Sequence, residues 1–469
     1  MTWQSVVDGF MWFFGSLIII YMIIVILVYS AMLFFAFIQL RKRHGLNTQD
    51  IEEEYVDAIY SKPVSIIVPA YNEEVGIINN IHSLLSLRYP EVEIIVVNDG
   101  STDGTLNKVI ESFQMKPIQK VIRQQLASEP IRAVYQSEIY PYLKLIDKEN
   151  GGKADALNAG INLSRYPYFC SIDGDSILEE RSLLRVMQPI ILSNEEVIAA
   201  GGNIQIANGF DVRLGSVFQS NLSRNYLVTM QIVEYLRAFM MGRIALSRFN
   251  LVLIISGAFS VFSKKWVIEV GGYTKDTIGE DMELVVKLHR MIKEEKLKKR
   301  IEFVAEPVCW TEAPQTFPML RNQRRRWQQG LIDSLWTHKK MTFNPKYGSI
   351  GLISFPYFWI VECIGPIIEL GGYLYIVVAF FMGQIYYEVA IILVLLFIIY
   401  GAILSMASVL LDAWSIRKYP NMRDVLRLLV LALSEVFWYR PLNLLWRMEG
   451  FFRFLGKRTE WGNMKREGF

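Results

Sequence analysis

Hydrophobic positions along the chain fall into two regimes. Residues 10–40, FMWFFGSLIIIYMIIVILVYSAMLFFAFIQL, run without one charge, and a bilayer core needs only about 20 helical residues. The stretch is expected to be a transmembrane helix with length to spare for tilt. A cleavable signal peptide would have a shorter apolar part behind a basic start, whereas the early charge here is Asp8. The flank RKRHG places Arg41, Lys42 and Arg43 in the cytoplasm and the N-terminus outside. Two more apolar runs, about 350–382 (with Glu362 and Glu369) and about 386–412, read as a hairpin returning to the cytoplasm. A last run, about 425–456, is interrupted by Arg440 and Pro441 and followed by a basic end. It either spans the bilayer or folds as two short, partly interfacial helices, and its basic ends favour the second.

Between the first and second runs the pattern is that of an α/β domain. VSIIVPAYNEE (64–74) is a β-branched run opening into a loop, and HSLLSLRYP has helical spacing. VEIIVVNDGSTDGT (92–105) is a second buried strand ending in a polar turn, and YFCSID supplies a third. Strand, helix, strand is the start of a parallel sheet, whose ligands bind where strands end. Segment 115–140 is the least patterned and reads as a flexible insertion. TMQIVEYLRAFMMGRIAL (229–246) spaces apolar residues helically around Arg237 and Arg243 and reads as an amphipathic helix on the inner membrane surface, with ordinary core packing as the equal alternative. The organisation is therefore an N-terminal transmembrane helix (1–45), a cytoplasmic α/β domain with interfacial helices (46–345), and C-terminal transmembrane and interfacial helices (346–469).

Composition supports a membrane protein: 52% of the 469 residues are hydrophobic and 13% aromatic, above the usual soluble share. A net charge of +3 is too small for a nucleic-acid binder, and the basic residues gather at membrane edges. Cys170, Cys309 and Cys363 are scattered, without the spacing of a zinc site or a disulfide framework.

The chemistry lies at the strand ends. Asn72, Glu73, Asn98 and Asp99 follow the first two strands, and no G-x-G-x-x-G or P-loop is present. Asp173 and Asp175, one residue apart in SIDGDS, leave the same side of an extended chain and can share a hard divalent cation, which suits a diphosphate. An isolated D-x-D is more often a solvated turn; the order of its neighbours changes that.

From YNEE, NDGS and NGGKAD through SIDGDS, SGAFSVF (256–262), TIGEDMEL (277–284) and QRRRW (323–327), the chain resembles family 2 glycosyltransferases of the GT-A fold, a Rossmann-like mixed sheet, over about 63–335. Its Q-x-x-R-W form is similar to that of processive synthases of cellulose, hyaluronan, chitin oligosaccharide and poly-N-acetylglucosamine. The resemblance implies that Tyr71, Glu73 and Asp99 hold the uridine of a UDP-sugar and that Lys153 reaches its diphosphate. It implies that Asp173 contacts nucleotide or sugar, that Asp175 ligates Mg²⁺ or Mn²⁺ with Asp173 beside it, and that Asp281, with Glu280, is the catalytic base motif. Arg326, with Arg324 or Arg325, would neutralise phosphate oxygens through planar forks, Trp327 would offer a face to the acceptor sugar, and Gln323 would fix the loop or an acceptor hydroxyl.

Three positions depart from the family pattern: Asn98 in place of the first Asp of D-D-G, Gly279 in place of the Thr of T-E-D, and Ser176 where cellulose synthases carry histidine. The activity implied is inverting polymerisation of a β-linked glycan from UDP-N-acetylglucosamine or UDP-glucose, with export through the chain's own helices in a bacterial cytoplasmic membrane. The partners implied are the UDP-sugar, the growing glycan, membrane lipid and small membrane or envelope proteins. A non-processive glycolipid transferase is the alternative. A silent scaffold is disfavoured by the intact Asp173, Asp175, Asp281 and Arg326.

Overall fold

The computed structural model describes residues 3–46, 62–174, 176–209, 211–213, 216–219, 222–381, 387–415 and 421–456. Strands follow in the order β1 (Val64–Ala70), β2 (Val92–Asp99), β3 (Met115–Pro117), β4 (Ile131–Ser137), β5 (Leu143–Lys148), β6 (Tyr168–Ile172), β7 (Ile177–Leu178), β8 (Val197–Ile206), β9 (Asp211–Arg213), β10 (Ser216–Gln219), β11 (Phe259–Ser263) and β12 (Arg300–Thr311). Ten of them form one sheet in the order β3-β4-β5-β2-β1-β6-β11-β8-β12-β7, and β9 pairs with β10. β1 runs parallel to β2 and β6, whereas β11 is antiparallel to both β6 and β8. The mixed α/β sheet expected of the domain is thus present. β1 and β2 carry no polar alternation because both sheet faces are covered, and all of β1 except Pro69 is buried.

Register sets the site. Ala70 pairs with Asn98, so the loops after β1 and β2 leave the sheet side by side and knit together. Thr102 N–H donates to Asn72 Oδ1 (2.8 Å), Glu73 N–H to Thr105 Oγ1 (2.9 Å) and Gly104 N–H to Glu74 Oε2 (3.1 Å). Asn72 sits at φ +56°, a left-handed conformation that asparagine tolerates.

The segment 115–140 is not a loose insertion. It supplies β3 and β4, which extend the sheet beyond β5 in antiparallel pairings. Short strands at a sheet edge have weak periodicity, since one neighbour and one covered face suffice to hold them.

Three helical spans, Ser5–Lys42, Ile350–Phe381 and Ile391–Ser415, are long and apolar enough to cross a membrane. The last run is two helices, Met422–Ser434 and Tyr439–Leu455, bent by 60° at the break. The acids of the second run find partners in the last: Arg440 forms a fork on Glu369 (3.0 and 3.1 Å), and Arg447 lies 3.6 Å from Glu362. Charges in apolar helices are held in such pairs.

The 229–246 segment differs from its expected place on a membrane surface. It is the helix Tyr226–Leu236, a π-helical stretch Arg237–Arg243 and the short helix Ile244–Arg248. One side packs on β8 and β12 and the other on the helices Trp3–Leu46 and Gly401–Ser415. Thr229, Gln231, Met240 and Met241 are all buried. Arg237 does not reach lipid headgroups; it pairs with Glu435 at 2.8 Å. Helical periodicity records which positions are apolar, not whether lipid or protein covers them.

Candidate active site

Asp99, the last residue of β2, organises the loop that presents Lys153. Its Oδ1 accepts from Lys148 Nζ (2.5 Å) and Gly151 N–H (3.0 Å), and its Oδ2 from Gly152 N–H (2.8 Å). Lys148 is fully buried and also bridges to Asp155 at 2.6 Å. A buried ammonium between two carboxylates is stable only when such hydrogen bonds complete it. Gly152, at φ +86°, turns the chain into the helix Lys153–Leu163. The site thus gains a helix N-terminus, a place suited to phosphate. Asp99 lines the cavity, but both its oxygens are engaged by this loop.

Lys153 points from that N-terminus into a ring of acids. Its Nζ lies 2.7 Å from Asp173 Oδ1, at the end of β6, and 3.1 Å from Glu280 Oε1. Burial opposes its charge, yet Asp173, Glu280 and Asp281 outweigh that and hold the ammonium well above its usual range. Burial pushes the Glu280 carboxyl up, reinforced by Asp281 and opposed by Lys153.

Asp281 stands in the first turn of the helix Glu280–Glu294. Its Oδ1 accepts its neighbour's Met282 N–H (2.9 Å) and its Oδ2 accepts Gly257 N–H (3.0 Å). Gly257 belongs to SGAFSVF, and the motif's glycine has a steric cause. A Cβ there would lie 2.9 Å from Lys153 Nζ and 3.4 Å from Asp281 Oδ2, filling the gap between the ammonium and the carboxylate.

QRRRW lies on the helix Phe317–Thr337. Gln323, Arg326 and Trp327 line the same cavity as Tyr71, Lys153 and Asp281, which has a volume of about 1470 Å³. Tyr71 and Trp327 remain half exposed (50% and 45%), open for ring stacking. Arg324, expected at the diphosphate, is only 2% exposed. Its guanidinium is spent on Glu234 (2.6 Å), Tyr439 Oη (3.4 Å) and Gln323 Oε1 (3.1 Å), and it stacks 4.3 Å over the Trp327 ring. Arg321 and Arg325 clasp Glu449 of the last helix at 2.8 and 3.4 Å. Among these arginines, Arg321, Arg324 and Arg325 tie helices together, and Arg324 and Arg326 line the cavity.

Asp175 lies outside the described residues. Glu73 packs against the turn before it, since a Cβ on Gly174 would lie 3.3 Å from the Glu73 side chain. Among the described residues no group of three His, Cys, Asp or Glu forms a cage. A donor set of one or two carboxylates beside a phosphate site fits Mg²⁺ or Mn²⁺, which take substrate phosphates and water as their other ligands.

Sequence reasoning missed Glu234 and Tyr439. The available signal was a lone acid within the apolar YLVTMQIVEYL, which asks for a cationic partner.

A mixed α/β sheet with acids and a lysine gathered where strands end defines the class of fold and the place of its site. The family described as "Glycosyltransferase like family 2" matches residues 62–330, more than half of the chain, and the chain belongs to it. The "Poly-beta-1,6-N-acetyl-D-glucosamine synthase" of Staphylococcus epidermidis is 29% identical over 279 residues, covering 58% of this chain and 57% of that protein. Its namesake in Staphylococcus aureus strain COL is 29% identical over 291 residues, covering 61% and 58%. The matched span is thus little more than half the length of these relatives. A solved mannosyltransferase from Pyrobaculum calidifontis, in complex with GDP-Man and Mn²⁺, covers 87% of this chain and 99% of its own at 18% identity and a TM-score of 0.49, too slight a likeness to carry an argument.

Proposed function

We propose that this chain is a membrane-integrated inverting glycosyltransferase that polymerises a β-linked polysaccharide from a UDP-sugar and moves the product outward. The observation that carries the reading is the continuity of one cavity, in which Lys153, Asp173 and Asp281 share walls with Tyr29, Glu362 and Arg440 of the membrane helices. A transferase that released a small soluble product would have no need of that extension. The named relatives favour N-acetylglucosamine as the sugar, with glucose the next candidate.

Each side chain has a step in this reading. Tyr71 and Glu73 hold the uridine, while Asp99 acts mainly through the Gly151–Gly152 loop. Lys153 and Arg326 bind the diphosphate, and Mg²⁺ or Mn²⁺ held at Asp173 and Asp175 would supply further neutralisation of the leaving group. Asp281, oriented by two backbone N–H groups, takes the proton of the acceptor hydroxyl. Trp327 stacks on the acceptor ring. The basic flank of the first helix supports a cytoplasmic catalytic domain in this reading.

The test is purified enzyme in detergent, offered UDP-N-acetylglucosamine and UDP-glucose in turn with Mg²⁺ or Mn²⁺, with UDP release and product mass measured. A ladder of long oligomers is expected. A single added sugar on a lipid would replace the polymer reading with the glycolipid one.

A further inference from the structure

A second, smaller cavity of about 360 Å³ shares no lining residue with the catalytic one. It opens between Gln39 of the first helix, the turn 247–250 behind the short helix Ile244–Arg248, and the start of β12. Two hydrogen bonds fix that turn to the sheet: Phe303 N–H donates to Ser247 Oγ (2.8 Å) and Ile301 N–H to Asn250 Oδ1 (2.9 Å). Two guanidinium groups line the cavity, and one of them is matched, Arg300 with Glu302 at 3.0 Å. Arg248 is exposed, and among the described residues no carboxylate pairs with it. Its Nη1 donates to the Gln39 amide oxygen at 3.3 Å, which satisfies one of five N–H donors and none of the charge.

The first helix sets the depth of this cavity. Gln39 lies one turn before Lys42, where the apolar span Ser5–Lys42 ends. By their spacing Phe35, Gln39 and Lys42 share one face of that helix, which therefore passes from ring to amide to ammonium over two turns. Phe35 meets Phe249 edge to face at 4.8 Å, and the Arg248 guanidinium lies 6.0 Å from the Phe35 ring. Phe34, Phe37 and Trp414 are exposed within a turn of it, and Phe37 stacks on Trp414 at 5.5 Å. Aromatic rings on one side and cations on the other mark the headgroup level of a bilayer. A soluble anion would meet the cations and leave the rings without a partner. A phospholipid meets both, since its phosphate accepts from a guanidinium and its chains lie along the rings. An acidic headgroup fits better than choline, whose ammonium would face Arg248 and Lys42.

We propose that this cavity binds the phosphate of an anionic phospholipid, with Arg248 as its principal donor and Phe35 and Phe249 against the lipid's apolar part. The site goes beyond the transferase reading and rests on the membrane placement of the first helix.

The experiment uses the full chain in an uncharged detergent, comparing the natural protein with Arg248→Gln, Arg248→Lys and Lys42→Gln. Binding of dioctanoyl phosphatidylglycerol and dioctanoyl phosphatidylcholine is read by native mass spectrometry, with inorganic phosphate as competitor, and folding by the thermal midpoint. The natural chain is expected to hold one phosphatidylglycerol about tenfold or more tighter than phosphatidylcholine. Arg248→Gln should weaken it about tenfold or more, the loss of a charge-assisted contact, and Arg248→Lys should recover part. Lys42→Gln should cost less than about threefold, the scale of an exposed charge, and all midpoints should stay near natural because both side chains are exposed. Equal affinity for the two lipids, unchanged binding in Arg248→Gln, or a lowered midpoint in both Arg248 variants would each overturn the site. Equal losses in Arg248→Gln and Lys42→Gln would reduce it to general surface charge, and displacement of the lipid by inorganic phosphate at equal concentration would make it a free-phosphate site; either result overturns the proposal. If the lipid binds as expected and no UDP-sugar yields polymer, the polymerase reading falls while the lipid site stands.

Discussion

Gly279 and Gly330 meet backbone to backbone. A Cβ on Gly279 would lie 2.8 Å from the Gly330 carbonyl oxygen, and one on Gly330 would lie 3.1 Å from Gly279 Cα. The contact joins the loop before Asp281 to the helix bearing Arg326 and Trp327, and Thr277 Oγ1 donating to Asp333 (2.7 Å) fastens the same two elements. Gly279 is where many relatives of this type carry threonine, and in this chain that side chain has no room. Gly279→Thr should therefore push the base away from the acceptor platform. A displacement of about 1 Å costs on the order of 10²-fold in rate, so kcat should fall by that order while UDP affinity stays. Near-natural turnover in Gly279→Thr would show the two helices free to adjust.

Asp281→Asn should abolish transfer and spare donor binding. The amide keeps the shape, and Lys153 keeps Asp173 and Glu280 as partners at 2.7 and 3.1 Å. A loss of about 10²- to 10⁴-fold in turnover is the scale of a removed general base. Calorimetry with UDP decides the matter: a parallel loss of affinity would assign Asp281 to the donor.

Buried strands and ordered motifs made the sheet and most of the candidate site legible in the sequence. β1 and β2 announce themselves by β-branched runs with turn residues behind them, and local chemistry marks SIDGDS and QRRRW. What stayed hidden depends on long-range pairing. Asp99 reads as a ligand-facing acid until Lys148 and the Gly151 and Gly152 N–H groups are seen to hold it, because residues about 50 positions further on leave no local trace. The arginine cluster is legible as a cluster, but which guanidinium is tied to a neighbouring helix is decided by Glu234 and Glu449, one on each.

Arg324 and Arg326 should fail in different ways when replaced. Arg324→Met leaves Glu234 with Tyr439 and Asn443 as donors but no cation, and removing one partner of a largely buried pair costs up to about 3 kcal/mol. Its thermal midpoint should drop sharply. Arg326→Lys should leave the midpoint near natural and lower turnover by about 10²-fold, since an ammonium cannot reproduce a planar fork on two oxygens. The reverse pattern would exchange the roles given to the two residues.

Chelation should remove donor affinity as well as activity. With Lys153 and Arg326 left to face the diphosphate, UDP affinity in EDTA should fall by about tenfold or more, the scale of a lost charged contact, and Mg²⁺ or Mn²⁺ should restore it. Unchanged UDP binding after exhaustive dialysis against EDTA would remove the metal from the donor site.

His289, on the helix that carries Asp281, should make the fold sensitive to mild acid. Its Nε2 lies 2.9 Å from the Val252 carbonyl oxygen, and its Nδ1 is buried without a partner. Burial, with Lys293 nearby, holds the ring down from 6.5 to about 4. Between those values the unfolded chain binds the proton and the folded chain does not, so stability is full above about 6.5 and is lost as pH falls toward 4. At about 1.4 kcal/mol per unit the loss approaches about 3 kcal/mol. Glu283 cannot mimic this window. Burial raises its carboxyl, but His338, Lys287 and Thr274 outweigh that and hold it below 4.5, so its contribution fades only at lower pH. His289→Gln keeps a donor for Val252 and does not titrate. Scanning fluorimetry at about pH 7 and about pH 5 should show a smaller drop in the thermal midpoint for the variant than for the natural chain; equal drops would place the acid sensitivity elsewhere.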